Sequence, residues 1–343
     1  MTLDAHLSLL TSHCSPLTAH LSLLTSHCSP LTAHSMHHKL FYILLLFLAL
    51  CGGCASLTES QLKTVNSLAV TADSVAAAPS ALFKELAAVR MQRGLYYAAS
   101  LTSAEVRFRE LNALAEAAIE DEKVAERTDV CVAVLNSYLR ALRSISNQAR
   151  WKQLGIEVRG LGSSLDSVIL RFNQLDWTEK DLPHGIGKLT GKYAGLLSEN
   201  YMKNRQARAV RAFVTEGDTL VALCTDALAE LLRRREVEEL IDNEAEGLRQ
   251  NYLAYLHRVE ALGQLPSVDN DRNYLELQKK LENSRRLRDK CVSGLRSLKR
   301  AHRKLLTQLE KRERMDYWYD ELTELNALAV KLNELLIGVR SEE

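Results

Sequence analysis

The sequence predicts an all-α protein, an elongated multi-helix bundle that includes a long antiparallel coiled-coil-like hairpin. Ala, Leu, Glu, Lys and Arg dominate the 343 residues, and these are strong helix formers. The alternating β-branched runs that indicate strands are absent from the sequence. Only Pro79, Pro183 and Pro266 interrupt the chain after residue 54.

Capping patterns, prolines and glycines divide the first half of the chain into four predicted helices. Ser56 and Glu59 have the spacing of a capping box, and so do Thr102 and Glu105. Pro79 lacks the N–H that a helix interior needs, so we expect one helix to end there and the next to follow it. Three glycines between residues 155 and 162 then interrupt the apolar periodicity. The predicted helices are 56–78, Ser80–Ser100, Thr102–Trp151 and Ser163–Gln174.

The second half carries the clearest helical signal. Apolar positions recur at alternating spacings of four and three, from Phe213 to Leu262 and again from Leu277 to Leu309. This heptad rhythm predicts two long helices, and the short connection Gly263–Arg272 makes them antiparallel neighbours. A further helix, in a new register, is predicted from Trp318 to Leu336.

Polar residues interrupt this heptad seam. Reflecting the chain about residue 267 places Arg234 and Glu238 beside His302 on the facing helix. Because a lone buried charge is costly, we expect Arg234, Glu238 and His302 to form a structural polar layer that fixes the helix register. The alternative interpretation is that they line a ligand or partner site.

The segment Arg285–Lys304 is the most basic part of the chain, with nine Lys and Arg residues and one acid. Its helical spacing places four cations in a stripe on one face, which is a candidate site for an anionic envelope ligand. The alternative is a charge match with the acidic residues of Glu236–Glu246 on the preceding helix. The stripe consists of Arg296, Lys299, Arg300 and Arg303.

The stretch "LFYILLLFLALCGGC" at Leu40–Cys54 predicts where the protein is located. Eleven consecutive apolar residues are too few to cross a bilayer, which takes about 20. They have the length of a signal-peptide core, and Lys39 supplies a positive flank. An uncleaved anchor and a buried core helix are the alternatives.

The residues that follow the apolar core, Gly52, Gly53 and Cys54, resemble the lipobox of bacterial lipoproteins. The resemblance implies that the signal peptide 36–53 is removed and that Cys54 carries a diacylglyceryl group and a further acyl chain such as palmitate. Ala55 and Ser56 follow in place of the aspartate that retains such proteins at the inner membrane. The resemblance therefore implies an outer-membrane lipoprotein that faces the periplasm.

Residues 1–35 differ in kind from the rest of the chain. The 14 residues of Ala5–Thr18 recur without a change at Ala19–Thr32. Two short identical copies cannot stack a core, so we interpret residues 1–35 as spurious upstream translation with the true start at Met36. A His/Cys metal tract is the alternative interpretation.

The mature chain is predicted to comprise an N-terminal helical region, 54–182, and a long helical hairpin region, 183–343. Besides Cys54 it holds three cysteines, at apolar helical positions, and we expect them to be buried and free. In the predicted hairpin Cys224 and Cys291 lie at different heights, which excludes a disulfide between them.

No motif in the sequence carries recognisable catalytic chemistry. Gly185–Lys192 lacks the spacing of a phosphate loop and is interpreted as a helix N-terminus. Asp269–Asn273 lacks the glycine and glutamate of a calcium loop and is interpreted as a capping turn. We expect no metal, no cofactor and no catalytic residues.

These observations favour a membrane-anchored envelope lipoprotein that acts as a structural or protein-interaction helical bundle. The net charge of +1 creates no global field that would recruit nucleic acid. A binder of an anionic envelope ligand is the first alternative. An envelope enzyme is the second, because distant residues can converge in space.

The lipid assignment predicts the behaviour of Cys54→Ser. The variant should accumulate as the unprocessed precursor and should not incorporate a fatty-acid probe, because serine lacks the thiol that accepts the lipid. Cys51→Ser is the matched control and should be labelled normally. Labelling that persists in Cys54→Ser would place the lipid on Cys51.

Overall fold

A computed structural model describes residues 57–147, 154–175, 181–189, 202–311 and 319–340. Within these residues the fold is an all-α multi-helix bundle with no strand, which confirms the predicted class. Residues 55–343 form one compact unit. The seven long helices are α1 Glu59–Ser100, α2 Ala104–Ser146, α3 Leu154–Asn173, α4 Met202–Arg233, α5 Arg235–Ala261, α6 Val268–Lys311 and α7 Tyr319–Arg340.

Helix α1 is the centre of the bundle and packs against α2, α5, α6 and α7. Its buried residues are mostly Ala, Val and Leu, so neighbouring helices approach it closely on several sides. A capping box does open α1, but it consists of Thr58 and Gln61, two residues after the predicted pair. The Thr58 hydroxyl accepts from the Gln61 N–H at 3.2 Å.

The predicted break at Pro79 is wrong, because α1 continues through it as one helix of 42 residues. A proline inside a helix costs about 3 kcal/mol through its missing N–H and its steric clash. Pro79 is buried, as are Ala78 and Ser80 on either side. Burial of this segment in the core offsets the local cost.

Two other predicted boundaries are also wrong. Helix α2 ends at Ser146, whereas Trp151 lies outside the described residues. Helix α3 begins at Leu154 and runs through the three glycines that were expected to end a helix. Its apolar face is buried in the common core, and this burial outweighs the helix-breaking tendency of glycine.

The hairpin is present, but its first arm consists of two helices. Arg234 has extended backbone angles and separates α4 from α5. Both helices contact α6. Ion pairs across the hairpin, such as Asp226 with Lys299 and Asp242 with Arg285, have their sequence midpoint close to Gly263. The predicted reflection about residue 267 is therefore about four residues too late.

The turn of the hairpin explains this register. The N–H of Gly263 donates to Glu260 and the N–H of Gln264 donates to Val259, which is the Schellman pattern. Gly263 has a φ of 63°, a left-handed conformation that glycine adopts without strain. The turn is thus complete before Pro266, and α6 begins at Val268.

The predicted seam of α6 is confirmed almost throughout. Ten residues of α6 lie at the predicted heptad positions, and only Arg288 among them is not buried. They are Leu277, Leu281, Ser284, Arg288, Cys291, Leu295, Leu298, His302, Leu305 and Leu309. On α7, Leu322, Leu325 and Leu332 are buried as predicted. The two predicted regions contribute to a single hydrophobic core rather than to separate ones.

The prediction of buried free cysteines is confirmed for Cys131, Cys224 and Cys291. Among the described residues, no helix combines the length and the hydropathy that a bilayer span requires. The signal peptide, the repeated segment and Cys54 lie outside the described residues.

Candidate functional site

The candidate site is a groove beside the line where α1 and α2 pack together, and α3 packs on α2 over only part of its length. Leu165, Ile169 and Phe172 of α3 are fully buried, at helical spacings of four and three. The guanidinium of Arg171, at the end of α3, pairs with the carboxylate of Glu126 in the middle of α2. Helix α3 has 20 residues and α2 has 43, so α3 leaves much of α2 without a neighbour on this side.

A cleft of about 900 Å³ opens where the three helices meet. Its floor is apolar and its rim holds two ion pairs, Arg171 with Glu126 and Lys84 with Asp129 at 3.5 Å. Ser80 also donates to Asp129. The volume is in the range of small-molecule sites. The lining residues are Phe83, Lys84, Ala87, Ala118, Glu126, Asp129, Val130, Ala133, Ser167, Val168 and Arg171.

Beyond the cleft, the first half of α2 exposes an apolar stripe, which consists of Phe108, Leu111, Ala115 and Ile119. Phe108 is 65% exposed and Ile119 is 57% exposed. None of residues 102–119 is fully buried. The spacings of three and four place the stripe on one helix face, the face that carries Ala118, Glu126 and Ala133 into the cleft. Stripe and cleft therefore lie on the same face of α2.

The wall of α1 keeps this part of α2 in place. An added Cβ at Gly94 would overlap the side chain of Leu114, so the two helices approach closely at this point. Leu95, one residue further along α1, is another exposed apolar side chain. The uncovered groove thus has a supported backbone and an apolar surface.

A cluster of tyrosines joins the end of α1 to the hairpin turn. Tyr252 stacks on Tyr274 with ring centroids 4.2 Å apart, and Tyr96 meets Tyr252 edge-on at 4.9 Å. The hydroxyl of Tyr96 donates to the carbonyl of Asn270 at 2.9 Å, and Tyr252 donates to Asp271. Burial, followed by the bond to Asp271, raises the pKa of Tyr252. At this end of the bundle, Leu265 is 92% exposed.

A buried carboxylate holds α5 against α1 near the same end. Glu244 accepts from the guanidinium of Arg90 at 2.8 Å and also pairs with Arg93. The Arg93 carbonyl in turn accepts from Asn251 at 3.0 Å. These contacts join α5 to α1 close to Glu110 and Leu114 of α2. Glu244 is the most deeply buried acid of the predicted acidic cluster. It therefore pairs with α1 and not with the basic stripe.

A polar network crosses the core where α2, α4 and α6 meet. The hydroxyl of Tyr138 lies 2.7 Å from His302 Nε2, and His302 Nδ1 lies 3.3 Å from a carboxylate oxygen of Asp218. Arg303 pairs with the same carboxylate. Phe213 stacks on the Tyr138 ring at 4.9 Å. His302 is only 1% exposed, and its contacts with Tyr138 and Asp218 join three helices.

The network changes the protonation of two of its members. The hydrogen bond from His302, with Arg303 contributing further, lowers the pKa of Asp218 although partial burial opposes the shift. Burial, with a smaller contribution from Asp218, raises the pKa of Tyr138 well above its usual range. Asp218 is therefore a carboxylate and Tyr138 a phenol at neutral pH.

The predicted polar layer is wrong in its membership. Arg234 is exposed at the α4–α5 break, and Glu238 is exposed and pairs with Arg288 at 3.6 Å. Only His302 is buried, and its partners are Asp218 and Tyr138. The helix break at Arg234 and the earlier turn of the hairpin shift the register, which moves Arg234 and Glu238 away from His302.

The predicted basic stripe is largely neutralised within the chain. Lys299 pairs with Asp226 and Arg300 with Glu324, each at 2.6 Å. Arg303 pairs with Asp218, as described above. Arg296 is exposed and has no ion-pair partner among the described residues. The acids that match the stripe lie on α4 and α7 and not in the predicted cluster on α5.

The two loop-like motifs lie at helix starts, as interpreted. Gly185, with a φ of 86°, precedes the helical residues 186–189, while 190–192 lie outside the described residues. Asp269 and Asp271 lie in the first turn of α6. Across the part of the chain that the structure describes, no group of three or more His, Cys, Asp or Glu residues could hold a metal ion.

No protein-family model, curated protein or solved structure matches the chain. The function is therefore argued from the groove itself. The sequence predicts the long helix that carries Phe108, Leu111 and Ala115. Apolar periodicity predicts that a face becomes buried, but it does not show whether the partner belongs to the same chain.

The buried network predicts a pH-dependent effect of Asp218→Asn. The carboxylate stabilises the folded state above the usual Asp pKa of about 3.9, and this contribution is lost as the pH falls through the lower folded-state pKa. The variant should lower the free energy of unfolding by about 1–3 kcal/mol near neutral pH. The difference from the wild type should shrink below about pH 4, as measured by urea denaturation.

Asp226→Asn is the matched control, because Asp226 lies on α4 like Asp218 but its ion pair with Lys299 of α6 is exposed. It should cost less than about 1 kcal/mol. Equal losses in the two variants, or a loss in Asp218→Asn that persists unchanged in acid, would contradict the role of the network.

Proposed function

We propose that this protein is a lipid-anchored envelope protein whose bundle binds a helix of a partner protein in the uncovered half of the α1–α2 groove. The apolar stripe from Phe108 to Ile119 carries the proposal. Exposed apolar residues that lie singly are ordinary, whereas a contiguous row on a supported helix face is typical of an interaction site.

Helix α3 supports the choice of a helix as the partner element. It packs on the other half of α2 and buries Leu165, Ile169 and Phe172, whose spacing is that of an amphipathic helix. A partner helix with apolar residues at i, i+3, i+4 and i+7 would continue the line of α3 past Phe172. This is the helix-in-groove mode of recognition.

The charges along the stripe support a partner of mixed charge. Glu105, Arg107, Arg109 and Glu116 flank the apolar residues and are exposed. Both signs are present within three helical turns, so a strongly acidic or strongly basic partner helix would face repulsion somewhere along its length.

The position of the groove suits a protein held at its N-terminal end. Leu95 lies 36 residues after Glu59 on α1, which corresponds to about 54 Å along the helix. The uncovered groove is thus at the end of α1 that is remote from Glu59, its first residue.

Site-specific cross-linking in the native envelope tests this function. A photoreactive residue at Leu111 of the lipidated protein should cross-link to peptides of another envelope protein, and mass spectrometry should map them to one amphipathic helix. The same probe at Leu170, which is 53% exposed on the outer side of α3, is the matched control and should not capture that helix.

Phe108→Glu should abolish the Leu111 cross-link without changing the melting temperature, because Phe108 is exposed and surface substitutions change stability by about 0.5 kcal/mol or less. Cross-links at Leu111 that match those of the Leu170 control would contradict the proposal. So would cross-links to lipid alone or to this chain alone.

A further inference from the structure

We propose that Cys131 on α2 and Cys224 on α4 form an oxidisable pair, and that their disulfide links the two helices directly behind the groove. This inference goes beyond the proposed function, and its test does not depend on a binding partner. One part of the inference does rest on the proposed envelope location: the pair becomes oxidised in the cell only in an oxidising compartment, where disulfides persist.

The two thiols are neighbours in the core. Cys131 Sγ lies 3.5 Å from the carbonyl oxygen of Cys224 and donates to it. The Cys224 side chain also lies within hydrogen-bonding reach of the Cys131 thiol, and both residues are fully buried. Helices α2 and α4 pack against each other along this stretch. A disulfide between them requires Cα atoms within about 6.8 Å of each other and Cβ atoms about 3.8 Å apart.

Cys291 differs from this pair. It is buried on α6, and burial alone raises the pKa of its thiol. For Cys131, burial is again the first cause of a raised pKa, but the second is the hydrogen bond with Cys224. Three cysteines allow three pairings, and the contact between Cys131 and Cys224 selects one of them.

The position of Cys131 connects the pair to the groove. Its neighbours Val130 and Ala133 line the cleft on the outer face of α2, while Cys131 faces α4. Helix α2 is thus held through one face and presents the groove on another. A disulfide at Cys131 would fix the helix that forms the groove floor.

The oxidation is a two-electron thiol–disulfide exchange. A disulfide donor, either an oxidoreductase or oxidised glutathione, is attacked by one thiolate and releases one thiol, which leaves a mixed disulfide. The second cysteine thiolate attacks that mixed disulfide, forms the Cys131–Cys224 bond and releases the second donor thiol. The two protons of the cysteines go to the two donor thiols.

Burial determines when this exchange can occur. The thiolate is the nucleophile, and burial raises the pKa of Cys131 and prevents access to it in the folded state. The bond therefore forms while the chain folds or opens locally. The two residues are 93 positions apart, so the bond closes a long loop and restricts the unfolded chain strongly.

Refolding of the full chain tests the proposal. Denatured, reduced protein is refolded in a buffer with oxidised and reduced glutathione, alkylated, and digested without reduction. Mass spectrometry should identify the linked Cys131 and Cys224 peptides, with Cys291 alkylated. The oxidised protein should melt several degrees higher than the reduced protein, and addition of a reductant should remove that difference.

Cys291→Ser is the matched control and should keep both the linked peptides and the melting shift. Cys131→Ala and Cys224→Ala should each lose both. Three alkylated core cysteines after oxidative refolding would overturn the proposal, as would a bond that involves Cys291. A Cys131–Cys224 bond that lowers the melting temperature would also overturn it, because the native helices would then not accommodate the link.

Discussion

The packing of one helix, α1, against four others is the constraint on which the rest of the structure depends. α1 contacts α2, α5, α6 and α7, and its small buried residues let each of them approach. This packing keeps α1 continuous through Pro79 in spite of a cost of about 3 kcal/mol. It also places the hairpin, because the tyrosine cluster and Glu244 join α1 to α5 and to the turn.

The same arrangement creates the groove. α2 follows α1 back along its length, and α3 covers only the second half of α2. The first half of α2 is therefore held by α1 on one side and has an exposed apolar stripe on the other. The rigid support and the exposed surface have a common origin in the difference in length between α2 and α3.

The sequence predicted what periodicity alone determines. The α6 seam from Leu277 to Leu309 was correct because one face of a long helix is buried along its whole length. The continuation of α1 through Pro79 was missed because local propensity does not register how many helices surround a segment. The break at Arg234 was missed because the heptad rhythm of the sequence continues through it. The Tyr138–His302–Asp218 network was missed because its members lie far apart in sequence and meet only through the helix register.

Native-state hydrogen exchange of backbone amides tests the central role of α1 most directly. The amides of residues 65–89, on both sides of Pro79, should exchange only through global unfolding and should share a single opening free energy. The amides of residues 104–119 on α2 should exchange through smaller openings, since this segment packs on one side only. Separate opening free energies before and after Pro79, or equal protection of residues 104–119 and α1, would contradict the account.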